Sequence, residues 1–375
     1  MLVNGLYLTL LIGPSVPIPV PPPVLEALQS VQVNSSGDRS GFQLTFTVGK
    51  ASLIQLALLP AGYFDPMLTR VVIIVTMNGL PQVLMDGIIT RQEVAPSNEP
   101  GKSTLTVTGE DLSVMMDIVE MKLPYPAMPD AARIAVILAK YAVFGIQPMV
   151  VPPPVLTVKS PTSEIPTQTG TDLSYIKGIA SQSGYVFYLM PGPVPLTSIA
   201  YFGPDLPIPI PQPALSVNMD RQTNVESLSF SLDGLAKKIT IITILDPATK
   251  KIPIPIPVPN VSFLHPPLGA RLTPPAKVRF SDDMANLAPD EAAKRIFGLM
   301  LNNADAVTGN GSLNTTRYGW ILRRRTVVGV RGAGPAYDGF YYVNSVTHSI
   351  KHGEYKQSFT LSRDGLITQT PVVGP

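Results

Sequence analysis

Phe42-Gln43-Leu44-Thr45-Phe46-Thr47-Val48-Gly49 sets a large apolar side chain at every second residue and a polar or small one between. Successive side chains of an extended strand point to opposite faces, so Phe42, Leu44, Phe46 and Val48 go inward while Gln43, Thr45 and Thr47 stay outside. The same period returns in Thr104 to Thr108, with Leu105 and Val107 inward, and in Leu228, Phe230 and Leu232 against Ser227, Ser229 and Ser231. A fourth copy sets Tyr355, Gln357, Phe359 and Leu361 against Lys356, Ser358, Thr360 and Ser362. Ser and Thr on the outer face suit antiparallel sheets with one wet or subunit-facing side, so the chain is expected to be mainly β.

These strands fall into two series. Ser30-Val31-Gln32-Val33 followed by Leu44 to Val48 parallels Ser216-Val217-Asn218-Met219 followed by Leu228 to Leu232. Ser103 to Val107, Gly109 and Leu112 parallels Gln357 to Leu361, Arg363 and Leu366, and each is preceded by a similar strand, Asp86-Gly87-Ile88-Ile89 and Asp338-Gly339-Phe340-Tyr341. Four matches in one order predict an internal duplication, with Phe46 superposed on Phe230 and Leu105 on Phe359. The expected division is a Pro-rich N-terminal segment at 1–23, a first barrel at 24–120, an α+β inserted domain at 121–213, and a second barrel at 214–245 and 318–368. Residues 246–317 are expected to interrupt that barrel as an insertion with a Pro-rich tract and a helix, and 369–375 form a tail.

Proline and helix signals fill in the rest. Proline tracts run from Pro14 to Pro23, Val151 to Pro154, Pro204 to Pro213 and Ile252 to Pro259. A proline at alternate positions removes ladder donors, so these tracts predict extended connectors or sheet edges. As ligands for proline-binding modules the first three lack flanking Lys or Arg. Helices are expected over Asp130 to Phe144, with Ile134, Ile137, Leu138 and Tyr141 on one stripe, and over Thr171 to Ser183 behind a Thr cap. A third opens at Pro289 and turns Ile296, Leu299 and Met300 to one face.

The 375 residues are 45% hydrophobic and only 14% charged, whereas average soluble domains are about 25% charged. A charge-poor surface on this scale points to contact with other subunits. The net charge of +2 offers no field to draw the chain to nucleic acid or an anionic membrane. Absence of cysteine removes disulfides, thiolate catalysis and Cys-based metal sites together. The most apolar run, Val71 to Ile89, is broken by Asn78, Gly79, Pro81, Gln82, Asp86 and Gly87, which argues against a membrane span. The N-terminus lacks the basic residues of a secretory signal, so folding is expected in the cytoplasm.

Arg317-Tyr318-Gly319-Trp320-Ile321-Leu322-Arg323, Val328 to Gly332, Asp338 to Val343 and Ser345-Val346-Thr347-His348 together resemble the closing strands of the phage late-control D and VgrG family. Thr171 to Ile176, then Ala180, Gly184 and Tyr185, is similar to the helix and strand between that family's barrels. The resemblance implies two tube-like β-barrel domains with α+β insertions, a homotrimeric baseplate hub, and a pseudo-sixfold ring that docks a hexameric inner tube of a contractile phage tail or injection system. It implies contact with other baseplate proteins, and a location in a tail or tail-like particle after cytoplasmic assembly. The chain ends at Pro375, nine residues after Leu366, so the spike that VgrG proteins carry fused is expected here as a separate protein.

The chemical inventory is thin, and no catalytic, cofactor or metal residue is assigned. His265, His348 and His352 are the only histidines; His348 and His352 have the spacing of a zinc helix, but the segment reads as a hairpin with Ser where that motif has Glu. Glu110-Asp111 and Asp282-Asp283 are adjacent in sequence, which points their side chains apart rather than across a substrate. Thr308-Gly309-Asn310-Gly311-Ser312 lacks the Lys of a phosphate loop and is expected to be a flexible connector. Arg323-Arg324-Arg325 could face a tube lumen or an acidic partner strip, but exposed charge runs are usually uncommitted, and alternation on a strand would leave at least one arginine simply solvated. A tail-associated cell-wall hydrolase and a ligand-binding β module are the competing functions; no acid/base constellation supports the first.

Overall fold

The computed structural model describes residues 5–14, 16–37, 39–99, 101–154, 165–206, 208–245, 253–258, 267–281, 289–301 and 305–369. Strands β1 (Leu6–Gly13), β2 (Leu28–Ser36), β3 (Arg39–Thr47), β4 (Arg70–Met77), β5 (Leu80–Ala95) and β6 (Thr104–Asp111) form an antiparallel sheet in the order β2-β3-β6-β5-β4-β1. All six line one apolar core, with Leu10, Val33, Leu44, Phe46, Ile73, Ile89 and Val107 among its buried members, so the sheet curls around it as a barrel. Phe42, Leu44, Phe46, Val48, Leu105 and Val107 all point inward, as their alternation requires.

A second sheet repeats the first. It contains β7 (Ile208–Ser216), β8 (Val225–Leu232), β9 (Val307–Asn314), β10 (Thr326–Arg331), β11 (Gly339–Lys351) and β12 (Glu354–Arg363) in the order β8-β9-β12-β11-β10-β7. Each strand is thus the counterpart of the one six numbers earlier, and all six again line one core. Two bulges fix the register of the repeat. One extra residue, Gln29, interrupts β2 against β3, and Glu226 interrupts β8 against β9; Thr90 interrupts β5 against β6, and Asn344 interrupts β11 against β12. Aligning either pair of bulges sets Val107 over Phe359, because Val107 pairs with Leu44 and Phe359 with Gly311. The copies differ at one edge, where β1 is antiparallel to β4 but β7 runs parallel to β10.

This register corrects the sequence alignment. Phe230 lies on β8, the counterpart of β2, and so matches Val33, while Phe46 matches Leu313. Leu105 matches Gln357 rather than Phe359, and Asp86-Gly87 matches Phe340-Tyr341, each a slip of two residues on the correct strand. Phe230 and Leu228 are only half-buried and Leu232 is 41% exposed, because β8 is the sheet's last strand and its side chains overhang the core. Thr308 to Ser312 is no connector: it is the middle of β9, hydrogen-bonded on both sides. Its glycines are there for space, since a Cβ on Gly311 would sit 2.6 Å from both the Phe359 ring and the Ser227 carbonyl.

Proline tracts lie at edges. Among the described residues Ile18–Pro19 pairs only with β1, β7 is the outermost strand of the second sheet, and Pro253–Val258 is an edge of a small sheet in which Lys238–Leu245 lies between it and Lys277–Ser281. Between the barrels, α1 (Asp130–Ala139) and α2 (Asp172–Ser183) pack Ile134, Ile137, Leu138, Leu173, Ile176 and Ile179 against a three-stranded sheet of Ile146–Val150, Val186–Pro191 and Ser198–Gly203. Thr171 caps α2 by accepting from the Ser174 amide, and Gly184 ends it in the left-handed region. Helix α3 (Pro289–Leu301) places Ile296, Leu299 and Met300 on the small sheet's Ile242 and Val258.

Candidate assembly surface

The two barrels are joined strand to strand. The second half of β11 pairs antiparallel with β2, from Val346 opposite Ser35 to Lys351 opposite Ser30, so both sheets are continuous. Ile321, Ile350 and Tyr355, all from the second half of the chain, are buried in the first barrel's core, while Val346 and Phe359 belong to the second. His348 lies between them, 5% exposed, with its Nδ1 2.7 Å from the Tyr355 hydroxyl and 3.3 Å from the Gln357 amide nitrogen. The Gln357 amide nitrogen only donates, so Nδ1 is the accepting nitrogen. Gln357 also clamps Leu322, taking its amide N–H at 2.9 Å and donating to its carbonyl at 2.8 Å. Burial pushes His348 down to about 4 and lifts the Tyr355 phenol far above its usual range, so both are neutral at pH 7.

Arg323, Arg324 and Arg325 occupy the turn before β10, and none is merely solvated. Arg323 reaches Gln82 at the tip of the first barrel, and Arg324 donates to the carbonyls of Asn344 and Gly37 on either side of the joint. Arg325 lies 3.4 Å above the Tyr188 ring and bonds Asp205 at 3.0 Å, tying the second barrel to the α+β piece. The run therefore staples the chain to itself. A turn, unlike a strand, lets three consecutive side chains point three ways. On the other side Arg70 makes a buried bidentate pair with Asp86, both bonds 2.7 Å, and reaches the Leu196 carbonyl at 3.3 Å. Burial holds the Asp86 carboxyl above the usual carboxylate range although the guanidinium pulls it down. Near α3, Lys294 and Arg133 converge on the buried Asp130.

What remains open on the surface is backbone and apolar side chain. Among the described residues β8 is paired along one edge only. Beyond Ile89, β5 has β6 on one side and, among the described residues, no paired strand on the other, and Arg91 to Ala95 are all exposed. Leu53, Leu56 and Leu68, in the excursion between β3 and β4, are exposed as well.

The residues singled out for chemistry stand apart. Asp111 caps the short helix at Leu112–Asp117 and takes the Ser113 and Ser40 amides, its carboxyl raised by burial. Its neighbour Glu110 turns the other way to Arg39. His352 lies exposed in the turn between β11 and β12 while His348 is buried; His265 and Asp282-Asp283 lie outside the described residues. Among the described residues no group of three or more His, Asp or Glu is placed to hold a metal ion, and no helix is long and apolar enough to cross a membrane.

No family model matches the sequence, and no curated protein is significantly similar to it. Solved structures are. A tail protein from Neisseria meningitidis MC58 superposes with a TM-score of 0.60 at 15% identity, over 97% of this chain and 98% of that one. The 43 kDa tail protein of prophage MuSo2 from Shewanella oneidensis gives 0.56 at 11% identity, over 95% and 98%. An E. coli component of the type VI secretion system, described as similar to T4 bacteriophage tail proteins, gives 0.51 at 10% identity over 93% and 77%. At these identities the likeness establishes the fold: mainly β, with two related barrels and α+β insertions.

Proposed function

We propose that the chain is a structural component of a phage tail or tail-like injection machine, a homotrimeric hub that joins a hexameric inner tube to a separate spike protein and contacts other baseplate proteins. The observation that carries this reading is the doubled barrel. Two six-stranded units with the same strand order and two bulges at matching places let three chains present six related units, which is the number a hexameric tube offers. Likeness to tail proteins over nearly the full chain favours it. On this reading the first barrel takes strands from 6–13 and 28–111 and the second from 208–232 and 307–363, so β1, the start of β7 and β9 come from segments the sequence had set outside the barrels, and Lys238–Leu245 leaves the second barrel for the small sheet. Such a hub assembles in the cytoplasm and ends in the particle. Light scattering of the purified chain at micromolar concentration should give three times the 40.2 kDa chain mass, and a monomer refutes the hub. The same preparation should release nothing from peptidoglycan; cleavage that is lost in Asp111→Asn would instead favour a hydrolase.

A further inference from the structure

We propose that Gln92 to Ala95 at the end of β5 pair antiparallel with Ser229 to Leu232 of β8 in a second copy of this chain, Gln92 opposite Leu232 and Val94 opposite Phe230. This rests on the trimer reading above and supplies its interface. The argument is the chain's own internal joint. Strand β11 is the counterpart of β5, and its second half is sandwiched between β12 and β2. Strand β8 is the counterpart of β2, whose outer edge that half of β11 covers. Two edges left open among the described residues, that of β8 and that of β5 beyond Ile89, are therefore the counterparts of the two that the internal joint pairs with each other.

The register follows by substitution. Internally Val346 faces Ser35 and His348 faces Val33. The bulges equate Val346 with Gln92, His348 with Val94, Val33 with Phe230 and Ser35 with Leu232. Burial matches the assignment: Val346 and His348 are covered by the joint, while their counterparts Gln92 and Val94 are exposed, Val94 by 41%. Leu232 is exposed by the same 41%, and Phe230 is half-covered, so the new ladder would close apolar side chains over one another. Natural edge strands are protected by Lys, Pro or a bulge. Along Ser229 to Leu232 there is none of these, and the bulge of β8 sits earlier, at Glu226. Pro96, which has no N–H, ends the run on β5. Because the two edges differ, the contact is head-to-tail and links copies into a ring.

Absence of native cysteine makes disulfide trapping clean. Residues directly opposite on antiparallel strands lie about 4.5 to 5.5 Å apart at Cα, within disulfide range. Under mild oxidation Val94→Cys/Phe230→Cys should run as a covalent trimer on a non-reducing gel, and so should Gln92→Cys/Leu232→Cys, whose sites are both exposed and do not threaten folding. Each single variant should remain monomeric on the gel, because the contact never brings a position to itself. The shifted pair Val94→Cys/Leu228→Cys should cross-link several-fold more slowly. A trimer by light scattering in which neither matched pair cross-links, or in which the shifted pair wins, overturns the proposed ladder and leaves the hub standing. A ladder of species beyond three overturns ring closure, and a monomer by light scattering overturns hub and interface together.

Discussion

His348 is the residue at which the joint between the barrels becomes sensitive to pH. Its ring is buried, so the protonated form is disfavoured and the pKa falls from 6.5 in an unfolded chain to about 4. Above pH 6.5 both states are neutral and the shift contributes nothing. As pH falls below 6.5 the unfolded chain takes up a proton that the folded one refuses, so stability is lost until about pH 4, where the folded imidazole also protonates. The full shift is worth about 3 kcal/mol. Urea unfolding at pH 7 and pH 4 should therefore show the parent losing about 2 to 3 kcal/mol more than His348→Gln over that interval, and parallel losses in the two proteins would exclude His348 as the source. Arg325 makes the second residue-scale case. Its guanidinium is over Tyr188 and on Asp205 at once, so Arg325→Ala should cost about 1 to 2 kcal/mol and raise hydrogen exchange in 186–203 before it does so in β2 or β3. Sequence showed three consecutive arginines but not the turn that points them to three different elements, and nothing local announces Tyr188 or Asp205 as partners.

At the scale of strands, alternation disclosed which residues face inward but left register and neighbour unspecified. Period two is the same for every strand, so the matching of β8 to β3 was as good in sequence as its true match to β2. What hid the correct register is an exchange of bulk across the ladder. Leu44 faces Val107 in the first barrel, whereas Gly311 faces Phe359 in the second, and Phe42 faces Gly109 where Gly309 faces Leu361. Each pair fills a similar volume, yet no single position conserves its size. The glycines that read as a loose connector are thus the small halves of packed pairs. It follows that Gly311→Ala should cost about 1 to 3 kcal/mol, as overpacking does, because its Cβ would meet a backbone carbonyl and the buried Phe359 at 2.6 Å each. Gly309→Ala should cost less, since its nearest neighbour at 2.9 Å is the half-exposed Phe230 ring, which can swing away. Equal losses in thermal melts would mean that β9 is not held as described. Similarly Phe46→Ala, in a fully enclosed site, should lose about 3 to 5 kcal/mol, and Phe230→Ala, open on one side, clearly less when the isolated chain is titrated with urea.

For the whole molecule the deciding property is that the two barrels are not independent. A ring of six units made from three chains requires a fixed angle between the two units of each chain, and a flexible linker would not supply it. Here the angle is set by a six-residue ladder from Val346 to Lys351 against Ser30 to Ser35. It is reinforced by side chains that cross over: Ile321, Ile350 and Tyr355 from the later half of the sequence are packed with Val31, Val33 and Phe46 of the earlier half. Removing the first barrel would therefore expose three large apolar side chains of the second, each worth about 1.5 to 3 kcal/mol of burial. That is comparable with the whole stability of an ordinary domain, about 5 to 15 kcal/mol. The barrels should consequently unfold in one cooperative transition. Trp320, the only tryptophan, is half-exposed next to the buried Ile321, so its fluorescence follows the release of that residue from the first core, while circular dichroism reports on all the strands. The two melts should coincide, and Phe46→Ala should lower both by the same amount and speed hydrogen exchange in β11 and β12 as well as in β3. Two separate transitions, or exchange that quickens in the first barrel alone, would show that the barrels move independently, and a chain with that freedom could not hold three copies of its doubled unit to the geometry of a sixfold tube.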